Sequence, residues 1–202
     1  MSAETRAYGA YTEYCGSAQP SISSNDEAID WSRQETTPDQ IRIEAVLDTM
    51  ALTGARILHV GVGNSKLAER FASRVCGIDG LTVHRSEKTY AEALAIANYN
   101  VYVINKHSQE MVSVLSHAYD FIIDNNLASF ACCRRHVIVM LENYLSMLRP
   151  QGRILTCQIG MDVYHGELGC TMTYADLMGL DRQFPLRTSK LNDVVYALSL
   201  KP

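Results

Sequence analysis

The residues whose order could do chemistry begin at a glycine turn. Ile57, Leu58 and Val60 form a short apolar run that meets Gly61, Val62, Gly63 and Asn64, and helix-forming residues follow at 66–70. That order predicts a buried strand, a tight turn and a helix start. Glycine lets the backbone bend where a β-carbon would clash and lets a ligand lie against bare main chain. The helix start adds unpaired N–H groups. Turns of this kind hold nucleotide-like cofactors in open α/β sheets. Asp79 stands eighteen residues after Gly61, near the spacing at which a carboxylate closing a second strand accepts from the hydroxyls of a ribose.

Further along, Tyr164, His165 and Glu167 crowd one loop at 160–170. His165 is the candidate general base, because its unperturbed pKa lies near neutrality. Cys132 and Cys133 read as small buried residues near a helix start in preference to a reactive pair. Six cysteines without a CxxC pair predict neither a metal site nor a disulfide framework, and point to reduced thiols in the cytoplasm.

Around these groups the chain must build a core. Its 202 residues, 47% of them hydrophobic and 20% charged, suit one globular domain. No apolar run approaches the roughly 18 residues of a membrane span, and no basic region followed by an apolar core opens the chain, so neither a span nor a secretory leader is expected. A net charge of −4 argues against a nucleic-acid partner.

The positioning elements alternate. Thr37 and Pro38 open a helix with Ile41, Val46, Leu47 and Met50 on its apolar face. Strands are expected at 57–60, 75–79, 101–104, 119–124 and 154–159, with helices from 66, at 86–98, 109–117 and 136–148 between them. Pro150 and Gly152 mark the stop of the last of these helices. This alternation predicts a parallel sheet with helices on both faces. After a helix at 173–180, strands at 184–187 and 194–200 are joined by too few residues for a crossover, so the sheet should end in an antiparallel hairpin. Residues 1–35 form a separate polar segment with a serine cluster at 21–25. Its Tyr8, Tyr11 and Tyr14 share one side of a helical turn, docking on the domain or closing as a lid.

In this order the chain resembles the class I S-adenosylmethionine-dependent methyltransferases over residues 41–200. LHVGVGNS is similar to the family's glycine-rich motif, GID at 77–79 to its acidic motif, YDFIIDNN to its fourth-strand motif and LRPQGRIL to its helix-to-fifth-strand junction. The resemblance implies a Rossmann-like three-layer sandwich, with a seven-stranded, mostly parallel sheet and an antiparallel last strand, and makes 36–202 the S-adenosylmethionine-binding domain. It implies that the turn of Gly61, Val62, Gly63 and Asn64, with His59 before it, lies beneath the methionine part of S-adenosylmethionine. Asp79 would hold the ribose, Gly80 and Leu81 would lie near the adenosine, and His107 and Ser108 beside the adenine amine. Asp124, Asn125 and Asn126 would flank the methionine part and the reacting methyl. His59 stands where the family usually has an acidic residue, Ser65 where a third glycine is common, and the usual Asp near His107 is missing.

The expected activity is methyl transfer to an oxygen or nitrogen of a small-molecule acceptor, in secondary or surface-carbohydrate metabolism, by a cytoplasmic protein without membrane association and compatible with a homodimer. DNNL replaces the Asn/Asp-Pro-Pro-aromatic motif, which argues against DNA adenine or amide nitrogen as acceptor. Two alternatives stay open. An NAD-dependent oxidoreductase is weakened by Lys66, where GxGxxG needs a small residue, and by the terminal hairpin. A non-catalytic binding protein of the same fold is favoured by the altered acidic positions.

Overall fold

The apolar runs become strands of one sheet: β1 (Arg56–Val60), β2 (Gly77–Thr82), β3 (Tyr99–Val103), β4 (Tyr119–Asp124), β5 (Leu148–Cys157), β6 (Leu186–Lys190) and β7 (Val195–Leu200). The computed structural model describes residues 8, 11–20, 26–115, 118–162 and 171–202. The serine cluster at 21–25 and the loop carrying Tyr164, His165 and Glu167 lie outside the described residues.

The strand order is β3-β2-β1-β4-β5-β7-β6. The first five strands are parallel, and β7 runs antiparallel to both β5 and β6, as the hairpin ending predicted. Helices α1 (Pro38–Leu47) and α2 (Lys66–Phe71) cover one face, where Ile43, Leu47, Leu67 and Phe71 pack on Ile57, Ile78 and Leu155. On the other face α4 (Met111–Val114), α5 (Arg134–Met147) and α7 (Tyr174–Gln183) bury Met111, Met140, Tyr144 and Leu177 against Leu58, Ile122 and Leu198. Helix α3 (Arg85–Ala93) follows β2, and the single turn α6 (Gln158–Met161) follows β5. Covered on both faces, β2 is buried at every position, as parallel strands are.

Several boundaries differ from the sequence expectation for identifiable reasons. β2 covers 77–82 and not 75–79, because Gly80 is a packing glycine and not a turn. A β-carbon there would meet Val62 Cγ2 at 2.7 Å and Val101 Cγ2 at 3.1 Å. The alanine-rich helix expected over 86–98 ends at Ala93, and Ala95 takes a left-handed φ of 53°. The helix expected over 109–117 is the single turn α4. Pro150 and Gly152 do not stop a helix. They sit inside β5, which follows α5 without a loop and shifts register against β4 between Tyr119 and Phe121, where proline's missing donor is tolerated.

The described part of the N-terminal segment docks on the domain. Residues 11–20 are not helical, so the three tyrosines do not share a helical face. Tyr8 and Tyr11 join the core while Tyr14 is 55% exposed. The carbonyls of Thr12 and Glu13 accept from the N–H groups of Arg134 and Arg135, each at 3.0 Å, and so satisfy donors that the first turn of α5 leaves open. The Tyr11 hydroxyl donates to Ala131 O at 3.0 Å. Tyr11→Ala removes a buried ring and this bond, and should cost about 3 to 5 kcal/mol in urea unfolding; a loss under about 0.5 kcal/mol would show the segment to be superficial.

Candidate functional site

A cavity of about 580 Å³ opens at the carboxyl ends of β1, β2 and β4, where the strand order reverses between β1 and β4. Open α/β sheets place their ligands at such switch points.

Its floor is the glycine turn. Gly61 and Gly63 have φ of 79° and 52°, and a β-carbon on either would meet nothing within 4 Å, so bare main chain faces the opening. Two bonds hold the turn. Gly61 N–H donates to Leu81 O at 2.8 Å, and Gly63 N–H to the Glu87 carboxylate at 3.0 Å. Burial pushes the Glu87 pKa up, against the hydrogen bonds from Thr82 and from the Gly63 and Val62 backbone that lower it. Ser65, at the position where a third glycine was expected, is also left-handed at φ 56°, and its hydroxyl meets Tyr99 OH at 3.3 Å.

One wall comes from the end of β2 and the start of α3, with Leu81, Thr82, Val83 and His84. Trp31 lies at its rim, its indole N–H bonded to Ser86 Oγ at 3.0 Å and its ring edge-on to His84 at 6.0 Å. The opposite wall joins Asp39 at the start of α1 to Ile159 and Gly160 after β5. Gly160 has no room for a side chain, since a β-carbon would fall 2.5 Å from both Asn125 O and Asp39 Oδ2.

The third wall pairs the loop after β3 (Ile104, Asn105, Lys106) with the loop after β4 (Asp124, Asn125, Asn126, Ser129, Phe130). A buried ion pair ties the two loops together. Lys106 Nζ lies 2.9 Å from each oxygen of Asp124, 2.5 Å from Asn126 O and 3.0 Å from Ser129 Oγ. Tyr144 OH donates to the same carboxylate at 2.8 Å, and burial, with the Asp124 charge, pushes the tyrosine pKa well up. Among the described residues, two buried atoms of the lining find no hydrogen-bond partner: Asn125 Oδ1 and His84 Nδ1. Bare glycine main chain and these polar atoms fit a polar, nucleoside-sized ligand.

Of the residues expected at a cofactor, the cavity gathers Gly61, Gly63, Leu81, Asp124, Asn125 and Asn126. The others face elsewhere. His59 is buried under the sheet with Nε2 3.3 Å from Gln40 Oε1, and burial lowers its pKa to about 4. Val62 packs with Ala91 and Val101, and Gly80 lies between them. Asn64 turns away and donates to Gln34 O at 2.9 Å. His107 points into the core, its ring nitrogens 3.1 Å from His136 O and 2.9 Å from Ser129 O. Burial and the Lys106 charge outweigh these carbonyls and lower its pKa to about 3. Ser108 Oγ donates to Gln19 at 3.2 Å.

The ribose role expected of Asp79 does not fit its surroundings. Asp79 pairs with Leu58 in mid-strand, fully buried, and its carboxylate accepts from Tyr119 OH at 2.9 Å and lies 3.4 Å from the Arg56 guanidinium. The β2 residues level with the glycine turn are Leu81 and Thr82. Trp31, Thr82, His84, Glu87 and Lys106 are lining residues that the motif spacing missed. The signal for Thr82, His84 and Glu87 was the apolar continuation of β2 past Gly80, which moves the strand end towards α3.

Solved structures share this architecture at low sequence identity. The N-methyltransferase NodS from Bradyrhizobium japonicum WM9, in complex with S-adenosyl-L-homocysteine, matches with a TM-score of 0.62 and 11% identity over 84% of this chain and 91% of that one. An rRNA methylase from Streptococcus thermophilus gives 0.55 and 11% over 84% and 99%. The fold is that of the Rossmann-like methyltransferases. The same scaffold also occurs in the [4+2]-cyclase SpnF, with a TM-score of 0.56 and 17% identity over 87% of this chain and 66% of that one. No family model matches the chain, and no curated protein sequence matches it.

Asp79→Asn keeps the shape but removes the charge that Arg56 faces and weakens the bond from Tyr119. It should lower stability by about 1 to 3 kcal/mol in chemical unfolding and leave ligand affinity within about twofold. An affinity loss above tenfold at unchanged stability would return Asp79 to the site.

Proposed function

We propose that the cavity binds S-adenosylmethionine and that the protein transfers its methyl group to an oxygen or nitrogen of a small-molecule acceptor. One observation carries the reading: the bare main chain of Gly61 and Gly63 opens on the same cavity as the unpartnered Asn125 Oδ1, in a fold shared with an S-adenosyl-L-homocysteine complex. When bound, the sulfonium supplies an already activated methyl group. Asn125 Oδ1 and the Asp39 carboxylate offer acceptors for the ammonium of the methionine part. Thr82 and Glu87 take the ribose in place of Asp79, and Val83 and Ile104 give apolar faces for the adenine. Trp31 and Phe130 exclude water from the rim. His165 is the proposed general base, and its exchange for asparagine should lower kcat by about 10²- to 10⁴-fold with little effect on cofactor affinity. The acidic net charge supports a small molecule over nucleic acid as acceptor.

A dinucleotide fits less well. Its pyrophosphate would need the N–H groups of the turn, and the Glu87 carboxylate occupies the Gly63 N–H and repels a second anion. A second reading, a binding protein of the same fold without methyl transfer, is favoured by the altered acidic positions, since His59 and His107 stand where the resemblance implies carboxylates.

Calorimetry with S-adenosylmethionine, S-adenosyl-L-homocysteine and NADH in parallel separates these readings. Binding of both sulfur nucleotides and not NADH is the expected result. Binding of the neutral thioether alone would support the non-catalytic reading, and binding of NADH alone would overturn the proposal. Gly61→Ala places a β-carbon in the opening at a left-handed residue. It should cost about 1 to 2 kcal/mol of stability and weaken S-adenosyl-L-homocysteine binding at least about tenfold, near 1.4 kcal/mol.

A further inference from the structure

We propose that Cys15, Cys132, Cys133 and His136 form a structural zinc site that clamps the N-terminal segment to the start of α5. Their ligand atoms all lie within 4.8 Å of one another. His136 Nδ1 is 3.0 Å from Cys132 Sγ, 3.3 Å from Cys133 Sγ and 3.6 Å from Cys15 Sγ, while Cys15 Sγ and Cys132 Sγ are 3.4 Å apart.

Hydrogen bonding alone does not account for this cluster. One imidazole nitrogen carries one proton or one lone pair, so it cannot bond three thiols at once. A cation at the centre satisfies all four groups. Tetrahedral zinc, with bonds near 2.3 Å to sulfur and near 2.0 Å to nitrogen, sets its ligands about 3.5 to 3.8 Å apart, so the four close spacings of 3.0 to 3.6 Å need a slight expansion and the widest, within 4.8 Å, a contraction of about 1 Å at most. Three thiolates and one imidazole select zinc over hard cations such as magnesium or calcium. Four protein ligands close the coordination shell, which marks a structural and not a catalytic ion.

The helix supplies an independent argument. α5 has 14 residues, no capping bond from the Cys133 side chain to its backbone N–H groups, no acidic residue in its first turn, and two arginines there. The helix start carries the partial positive charge of its open N–H groups, and thiolates are groups it stabilises, while Arg134 pairs with Glu13 of the N-terminal segment. The ligands also come from the right places. Cys15 lies 117 residues before Cys132, on the segment whose carbonyls cap α5. Cys132 follows closely on Ser129 and Phe130 of the cavity wall. The ion therefore ties the N-terminal segment, α5 and the loop after β4 together. The sequence expectation of no metal rested on the missing CxxC pair, and a fourth ligand so distant in the chain leaves no spacing to read. This inference is independent of the cofactor assignment.

The test is metal analysis of the full chain purified without chelator. One zinc per chain is expected, and cobalt substitution should give the intense visible absorption of a tetrahedral thiolate site. Cys15→Ser removes an exposed ligand outside the sheet. It should lose stoichiometric zinc and make the N-terminal segment sensitive to protease, whereas Cys76→Ser, at an exposed cysteine outside the cluster, should keep both properties. Reduced wild-type protein that holds no zinc and shows no cobalt absorption after reconstitution would overturn the proposal. So would a Cys15–Cys132 disulfide, seen as a mass lower by two hydrogens, in protein prepared with zinc present.

Discussion

The candidate site depends on one register, the parallel pairing of β1 with β2. Gly61 N–H bonds Leu81 O, Leu58 lies level with Asp79, and Val60 with Leu81. A shift of one residue would turn every β2 side chain to the opposite face. The register brings the end of β2 level with the glycine turn and lets α3 begin where Glu87 reaches the Gly63 N–H. It also needs Gly80, because any larger residue would collide with Val62 and Val101. The shape of the turn and the wall beside it thus follow from the β1–β2 register together with the Glu87 bond.

The third wall, from the loops after β3 and β4, is held by charge. Lys106 and Asp124 are both nearly fully buried, and each is surrounded by further polar partners. A pair of this kind adds little net stability, since desolvation offsets most of the attraction, but loss of either partner strands a buried charge. The pair therefore defines which way the two loops face more than how firmly they are held. That orientation leaves Asn125 with a side-chain oxygen that has no partner among the described residues, while the Asp124 carboxylate accepts from Lys106 and from the Asn126 N–H.

Much of the architecture was legible in the sequence because it rests on period and connection length. The alternation of strands and helices, and the short link between the last two strands, required a parallel sheet with an antiparallel ending. The glycine turn was legible because left-handed backbone with open space beside it selects glycine. The partners of that turn were not. A GID triplet at a plausible spacing suggested Asp79, yet Gly80 serves packing and the strand runs on to Thr82. Which carboxylate faces a cavity depends on where a strand ends, and strand ends are the least regular part of an apolar pattern. His107 likewise follows Lys106 in sequence, but the lysine takes the place at the cavity and turns the imidazole inward.

Trp31 is the chain's one tryptophan and stands on the cavity rim, so its fluorescence reports directly on what enters. The decisive measurement is titration of that emission with S-adenosyl-L-homocysteine. A saturable change with the midpoint found by calorimetry is predicted if the glycine turn and the loop after β4 enclose the ligand. Heat of binding with flat Trp31 emission would place the ligand elsewhere and contradict the account.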